Sequence, residues 1–110
     1  MKKVFASVLI TNFNKEKFLK KTLNSCKNQN FKNKEVIIFD DCSTDNSLSV
    51  IKKFKNFKLI ENKKKMFKSG PLNQIYAISQ LIKASKGEII FLLDGDDEYK
   101  KDKISEICKL

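Results

Sequence analysis

Four acidic residues lie within five positions directly after an apolar run, and their types and spacing are suited to metal chemistry. The run covers residues 89–93, and Asp94, Asp96, Asp97 and Glu98 follow it in a chain whose formal net charge is +10. Residues two apart in an extended segment point the same way, so Asp94 and Asp96 can converge on one point. Carboxylates this close repel one another unless a cation offsets their charge. The pattern indicates a site for Mg²⁺ or Mn²⁺, which take oxygen ligands; an acidic surface turn is the alternative.

A buried strand would deliver these acids to a loop, and the rest of the chain contains three more segments of this kind. Apolar runs separated by helical periodicity predict a β-α-β-α-β-α-β-α order. This alternation predicts an α/β fold, with a Rossmann-like parallel sheet of four strands in the order 3-2-1-4 and helices on both faces. The predicted strands cover residues 4–10, 35–39, 57–61 and 89–93, and the predicted helices cover 15–27, 47–55 and 71–86, with a last helix after residue 98.

Helix ends and helix faces follow from capping preferences and apolar spacing. Asn14 is predicted to cap the first helix, and Thr44 or Asp45 the second. Gly87 is predicted to end the third helix as a left-handed cap, and Gly95 to let the backbone turn between the acids. The third helix is predicted to bury one face made of Leu72, Ile75, Tyr76, Ser79 and Ile82.

Polar clusters follow three of the four predicted strands, at residues 11–14, 40–45 and 94–98. Each cluster alone is compatible with ordinary turn chemistry. In parallel α/β sheets, however, ligands bind beyond the carboxyl ends of the strands, where all three clusters would meet. The coincidence predicts a binding site at that edge.

The composition favours one small folded domain with a strongly basic surface. The chain has 110 residues, 41% of them hydrophobic and nine of them Phe, and no apolar run of membrane-spanning length. All 23 basic residues are Lys, a charge that can attract a phosphorylated substrate, nucleic acid or an anionic membrane surface. Without Arg or a recognisable DNA-binding motif, we expect no nucleic-acid partner.

The cysteine count and the N-terminus indicate a cytoplasmic protein. Three cysteines without a CxxC pattern favour reduced thiols over a disulfide framework or a zinc site. The N-terminal apolar stretch is seven residues long and lacks a small-residue cleavage site, so it is interpreted as the first strand rather than a signal peptide.

Three segments together carry a family resemblance: VLITNFNKEKFLKKTLNS, VIIFDDCSTDNSLSVIKKF and KGEIIFLLDGDD. In this order and spacing the chain resembles the N-terminal, nucleotide-sugar-binding half of family 2 glycosyltransferases of the GT-A fold. The resemblance covers essentially all 110 residues. It implies one nucleotide-sugar-binding domain over residues 1–110, a nucleotide-diphosphate sugar donor, expected to be a UDP-sugar, and an acceptor glycan or glycoconjugate. It also implies polysaccharide biosynthesis at the inner face of a membrane.

The resemblance implies roles for individual residues. Thr11, Phe13 and Asn14 match the loop that contacts the nucleotide base, although family members often have Pro where Thr11 stands. Asp40 and Asp41 match an acid pair whose second member accepts a hydrogen bond from the base.

The sequence DGD at residues 94–96 matches the DxD motif of the family. By this match Asp94 faces the ribose and also belongs to the metal site, Asp96 coordinates Mn²⁺ or Mg²⁺ at the diphosphate, and Asp97 is a supporting acid. Lys68 or Asn73 are possible substitutes for the family's diphosphate contacts.

Two departures from the family pattern have consequences. Cys42 stands where family members usually have Gly, a position that should still turn. The general base that activates the acceptor lies beyond this half in the family, so the catalytic residue is unknown. We expect a fragment of a longer glycosyltransferase that transfers little sugar alone.

Two other function classes stay open at the sequence level. Mg²⁺-binding phosphoacceptor receiver modules also have an acid pair after one strand and an Asp after another, where this chain has Asp94. Against that interpretation, a complete strand and helix precede the acid pair, and no strand-Lys unit follows Asp94. The third class is a catalytically inactive binding module that kept the fold.

Overall fold

The structure is a computed structural model that describes residues 4–109. Its four strands form one parallel sheet in the order β3-β2-β1-β4, as predicted. The predicted first strand begins at residue 4, within the described part of the chain. The elements in chain order are β1 Ala6–Asn12, α1 Glu16–Lys27, β2 Lys34–Asp41, α2 Ser47–Lys52, β3 Lys58–Asn62, α3 Gly70–Ala84, β4 Ile89–Asp94 and α4 Lys103–Cys108.

The two central strands are longer at their carboxyl ends than the sequence predicted. Thr11 and Asn12 pair in register with Phe39 and Asp40, so residues expected to begin loops continue the sheet. The predictions ended each strand at its last apolar residue. The polar side chains stay in the sheet because they satisfy one another, as in the 2.9 Å hydrogen bond from Asn12 Nδ2 to Asp40 Oδ1.

The sheet separates two apolar layers of unequal size. The larger layer packs β-strand side chains such as Val8 and Ile38 against Leu23 of α1, Ile51 of α2 and Ile104 of α4. The smaller layer places α3 over β1 and β2, where Ala77 and Leu81 contact Leu9, Ile37 and Phe39. Helices therefore cover both faces, as predicted.

The predicted inner face of α3 is wrong at three of its five residues, whereas Tyr76 packs against the smaller layer as predicted. The buried residues of this helix are Asn73, Ala77 and Leu81, whereas Leu72, Ile75 and Ile82 are exposed. Because α3 lies over the central strands and not over β4, one apolar side of the helix stays uncovered. Ile90 and Leu92 on β4 are exposed as well.

Three predicted capping roles also differ from the structure. Lys15, not Asn14, is the N-cap of α1, and Asn46, not Thr44 or Asp45, is the N-cap of α2. Asp45 instead joins the two helix starts, because its carboxylate accepts hydrogen bonds from the N–H groups of Glu16 and Ser47 at 3.0 and 2.9 Å. Burial raises the pKa of Asp45, but hydrogen bonds from Ser47 and from the Glu16 N–H hold it below its ordinary value.

Gly87 lacks the left-handed conformation that the sequence predicted, whereas Gly95 lies in a turn, as predicted. The third helix ends at Ala84, before Gly87, and no described glycine has a positive φ. Close approach explains both positions. A Cβ on Gly87 would lie 2.5 Å from the backbone N of Ser7, and a Cβ on Gly95 would lie 2.3 Å from Asn12 Oδ1.

Candidate functional site

A cavity of about 480 Å³ opens at the carboxyl edge of the sheet, where the predicted polar clusters meet. This volume is within the range of small-molecule sites. Five of the seven residues predicted to form the site contribute to its lining: Thr11, Phe13, Asp41, Asp94 and Asp96. The other two, Asn14 and Asp40, lie outside the lining.

The floor of the cavity joins β1 to β4. The Thr11 hydroxyl donates a 2.7 Å hydrogen bond to Asp94 Oδ1, although the two residues are 83 positions apart. Gln74 of α3 donates to both, to Thr11 Oγ1 at 3.1 Å and to Asp94 Oδ1 at 3.2 Å. One oxygen of Asp94 is thus fixed in place, and the exposed carboxylate faces the cavity in a defined orientation.

Asp41 and Phe13 form one wall of the cavity. The Asp41 side chain accepts hydrogen bonds from Asn62 at 2.9 Å and from the Lys65 ammonium at 2.8 Å. The same ammonium lies 3.6 Å from the centroid of the Phe13 ring, whose residue is 45% exposed. An exposed aromatic face beside a carboxylate can stack a planar ring and accept a hydrogen bond from its edge.

Asp40 supports this wall from behind. It is buried, and its carboxylate accepts hydrogen bonds from Asn12 Nδ2, from the Ser43 hydroxyl and from the Ser43 N–H at 2.9, 2.7 and 3.1 Å. With its lone pairs engaged in this way, Asp40 orders the turn after β2. Its geometry is that of a positioning residue.

Asn14 joins the loop after β1 to the loop after β2. It has a positive φ of 51°, and its Oδ1 accepts hydrogen bonds from the N–H groups of Thr44 and Asp45 at 2.7 and 3.3 Å. The loop that carries Phe13 is thereby held against the loop that follows Asp41.

The acids after β4 form a group that can hold a metal ion. Asp94, Asp96 and Asp97 each offer a carboxylate oxygen, and these atoms lie within 4.8 Å of one another. Asp97 also accepts a 3.0 Å hydrogen bond from the Asp94 N–H, which fixes the turn. An all-oxygen donor set at an open cavity fits Mg²⁺ or Mn²⁺, whose coordination substrate phosphates usually complete.

Lys15 neutralises part of this acidic group. Its ammonium lies 3.2 Å from Asp96 Oδ2, and both side chains are about two-fifths exposed, at 43% and 40%. A cation bound through Asp96 Oδ2 would displace Lys15. Phosphate groups entering the cavity would offer that lysine a new partner.

Gly95 allows the acidic turn to lie directly against β1. Its N–H donates to the Thr11 carbonyl at 2.9 Å, and its own carbonyl accepts from the buried Thr22 hydroxyl of α1 at 2.9 Å. Asn12 Oδ1, beside Gly95, is buried without a hydrogen-bond partner among the described residues. The turn is held from both sides, which restricts the positions of Asp94 and Asp96.

Four polar residues that line the cavity had no individual role in the sequence analysis: Asn12, Lys15, Lys65 and Gln74. Asn12 lies in the predicted polar cluster 11–14, but the other three belong to no recognisable motif, and the lysines are two among 23. Gln74 had one available signal, since it lies one turn into a helix that begins near the predicted site. Asn73, considered for the diphosphate, instead uses its amide on the backbone of Phe67.

The class of protein follows from these features: a parallel α/β domain with an aromatic and acidic pocket at the carboxyl edge of its sheet. The profile of the glycosyl transferase family 2 matches residues 7–110. The chain belongs to this family, and the receiver-like interpretation is therefore not retained.

Several named glycosyltransferases are similar to the chain. A Methanococcus voltae dolichyl N-acetyl-α-D-glucosaminyl phosphate 3-β-D-2,3-diacetamido-2,3-dideoxy-β-D-glucuronosyltransferase is 36% identical over 103 residues, covering 86% of this chain and 30% of that protein. A Campylobacter jejuni GalNAc(5)-diNAcBac-PP-undecaprenol β-1,3-glucosyltransferase is 33% identical, with coverages of 94% and 33%. The chain thus spans about a third of the length of these relatives.

Solved structures share the fold. The crystal structure of Staphylococcus aureus TarS 1–349 in complex with UDP-GlcNAc superposes with a TM-score of 0.81 and 27% identity over 96% of this chain and 30% of that chain. The mannosyltransferase PcManGT from Pyrobaculum calidifontis, in complex with GDP-Man and Mn²⁺, gives a TM-score of 0.83 at 19% identity over 98% of this chain and 32% of that chain. The second likeness concerns the fold alone.

Proposed function

We propose that this chain is the nucleotide-sugar-binding part of a metal-dependent glycosyltransferase that uses a UDP-sugar. The observation that carries the proposal is that Phe13, Asp41, Asp94 and Asp96 line one cavity. An aromatic ring, a hydrogen-bond acceptor and an oxygen-rich cation site match the base, the base edge and the diphosphate of such a donor. The complex of TarS with UDP-GlcNAc supports the choice of nucleotide.

Each residue has a distinct role in this proposal. The base stacks on Phe13, and Asp41 accepts a hydrogen bond from its imino N–H, which uracil has and cytosine and adenine lack at the equivalent edge. Asp94, oriented by Thr11, accepts from the ribose and contributes to the metal site. Asn14 and Asp40 hold the two loops that carry Phe13 and Asp41.

Asp96, with Asp94, would hold Mn²⁺ or Mg²⁺ at the diphosphate, and Asp97 supports the turn. A divalent cation held there supplies positive charge that offsets the charge of the leaving nucleoside diphosphate. The carboxylates orient that charge towards the cavity. Lys15 and Lys65 add further positive charge at its rim.

The acceptor is proposed to be a glycan or glycoconjugate, including one carried on a lipid. The relatives named for dolichyl- and undecaprenol-linked substrates support this choice. We place the reaction on the cytoplasmic face of a membrane. In the described residues the acids that line the cavity already serve the nucleotide and the metal, so we expect these 110 residues alone to transfer sugar very slowly.

Calorimetric titration of UDP with and without Mn²⁺ tests the proposal. We expect UDP to bind, and we expect Mn²⁺ to strengthen the binding. Asp96→Asn should abolish the increase in affinity that Mn²⁺ causes. Asp41→Asn should weaken UDP binding by about tenfold, because one hydrogen bond to a charged group is lost. Glu98→Gln is the matched control, since Glu98 is exposed beside the same turn but outside the cavity lining. A folded chain that fails to bind UDP in the presence of Mn²⁺ contradicts the proposal.

A further inference from the structure

The loop between β3 and α3 combines exposed apolar side chains with a high positive charge. All six residues of the segment 63–68, KKKMFK, are exposed, and Met66 and Phe67 are 52% and 43% accessible. No acidic residue occurs between Asn62 and Gly70. Large apolar side chains left in water beside lysines are a feature of interaction surfaces.

This loop is held in place. The buried Asn73 of α3 accepts a 3.0 Å hydrogen bond from the Phe67 N–H and donates a 2.9 Å hydrogen bond to the Phe67 carbonyl. The Phe67 ring also meets Tyr76 edge to face, with centroids 6.4 Å apart. Specific contacts therefore hold the loop at Phe67, next to the exposed Met66.

The charges of the loop are available to a partner. Lys65 is paired with Asp41, but within residues 4–109 no ion pair joins Lys63, Lys64 or Lys68 to an acid. Three unpaired ammonium groups flank two exposed apolar side chains within six residues. This pattern is complementary to a surface with anionic groups outside and apolar chains beneath.

We propose that the segment 63–68 docks the protein on an anionic lipid bilayer. Met66 and Phe67 enter the interfacial region, and Lys63, Lys64 and Lys68 contact lipid phosphates. A nucleic acid fits less well, because the Met66 thioether has no face on which a base can stack. No helix within residues 4–109 is long and apolar enough to cross a membrane, so the contact is peripheral.

The position of the loop relates the membrane contact to the cavity. Lys65 lines the cavity while its neighbour Met66 is exposed outside it, so docking brings the mouth of the cavity to the bilayer surface. An acceptor carried on a lipid would then lie at the mouth of the cavity. In this respect the inference rests on the proposed function, although bilayer binding itself is measured without nucleotide.

Co-sedimentation with vesicles tests the docking. We expect the chain to sediment with phosphatidylcholine vesicles that contain phosphatidylglycerol and to remain in solution with phosphatidylcholine alone. Lys63→Ala with Lys64→Ala should weaken partitioning roughly 30-fold, since each lysine near an anionic surface contributes about fivefold. The matched control Lys20→Ala with Lys21→Ala removes the same charge from exposed positions on α1 and should change it by less than about threefold.

A tryptophan reporter tests which side chains enter the bilayer. The chain contains no Trp, so one introduced Trp reports alone. The emission of Met66→Trp should shift to the blue on anionic vesicles, whereas that of Phe18→Trp, at a position 53% exposed on α1, should not. Met66→Ser should weaken partitioning several-fold, and Phe18→Ser should leave it unchanged.

Three results with vesicles would overturn the inference. They are the absence of anionic vesicle binding, equal losses from the 63/64 and 20/21 variants, and a blue shift at Phe18→Trp without one at Met66→Trp. Tighter binding to RNA than to anionic vesicles at equal salt would also overturn it. UDP titration of the same samples separates this result from failure of the proposed function, because Met66→Ser leaves the cavity lining intact.

Discussion

The Lys65 ammonium lies 2.8 Å from Asp41 Oδ2 and covers the Phe13 ring at 3.6 Å, so one lysine contacts both groups assigned to the nucleotide base. A base that stacks on this face of Phe13 and bonds to Asp41 must exchange with Lys65. The ion pair is partly exposed, at 37% and 12% for the two side chains, and pairs of this kind contribute at most about 1 kcal/mol. Lys65 is thus a weak internal competitor for the base.

Replacing Lys65 with Met should strengthen the binding of uridine, by up to about fivefold. Uridine carries no phosphate, so loss of a positive charge has no direct effect on the ligand. Lys64→Met is the control, because Lys64 is exposed and outside the cavity lining. Calorimetry measures both affinities. Weaker uridine binding by Lys65→Met would mean that the ammonium contacts the base instead of competing with it.

Lys15→Met should strengthen the binding of Mn²⁺ in the absence of nucleotide. Lys15 neutralises Asp96 at 3.2 Å, and release of that carboxylate should raise the metal affinity up to about fivefold. Lys17→Met removes the same charge from an exposed position on the same helix. Electron paramagnetic resonance of free Mn²⁺ measures both variants. Equal changes in the two would attribute the effect to net charge and not to the pair.

Gly95→Ala should destabilise the fold by about 2 kcal/mol. The new Cβ would lie 2.3 Å from Asn12 Oδ1, and Asn12 cannot withdraw easily because its Nδ2 is bonded to Asp40. Gly70→Ala is the matched substitution, since nothing lies within 4 Å of its added Cβ and Gly70 begins α3. Urea denaturation followed by circular dichroism should show Gly70→Ala to be neutral or slightly stabilising. Equal losses would contradict this account.

Cys42→Gly should stabilise the fold by about 0.5–1 kcal/mol. Cys42 has a φ of 63°, a left-handed backbone conformation that is unfavourable in free energy for a residue with a Cβ. Asn14, the other described residue of this kind, has a φ of 51° but bonds to Thr44 and Asp45. Asn14→Gly should therefore destabilise the fold. Thermal unfolding compares the two. A destabilised Cys42→Gly variant would show that the thiol makes a contribution that exceeds the backbone cost.

Glu35→Gln should destabilise the fold by about 2 kcal/mol at neutral pH and much less in acid. Burial raises the pKa of Glu35, but hydrogen bonds from the Ser7 hydroxyl, the Lys86 N–H and Lys58 bring it below its ordinary value of 4.5. A carboxylate whose pKa is lowered by folding stabilises above the unfolded pKa and loses this effect as the pH falls through the folded pKa. Denaturation measured from neutral pH into acid should show the free energies of unfolding of the two proteins converging below pH 4.5. A constant difference would mean that the charge is not the cause.

The fold was predictable because four apolar runs alternate with helical spacing, and the strand order and both helix layers are as predicted. The strand ends were not predictable, because Asn12 and Asp40 stay in the sheet by forming a hydrogen bond with each other. This contact joins two strands, so the local sequence of neither strand indicates it. The prediction of the inner face of α3 failed for a similar reason. Its two overlapping apolar stripes are equivalent in periodicity, and only the position of the helix over β1 and β2 selects Ala77 and Leu81.

The lining of the cavity was predictable where it depends on strand ends, as for Asp41, Asp94 and Asp96. Lys15, Lys65 and Gln74 were missed because their roles depend on which side chain of another element lies within 3.2 Å. A lysine among 23 carries no such information in its local sequence. The roles assigned to all seven predicted residues remain predictions: Thr11, Phe13, Asn14, Asp40, Asp41, Asp94 and Asp96.

The hydrogen bond from Thr11 to Asp94 has a consequence for synthesis of the chain. Its partners are 83 residues apart, and β4, which carries Asp94, is made after the other three described strands although it pairs with the first. During translation β1 can find β2 early but must wait for β4. One flank of β1, with its apolar side chains and unpaired backbone groups, stays open for most of that time. The cavity therefore cannot form before β4 has been made.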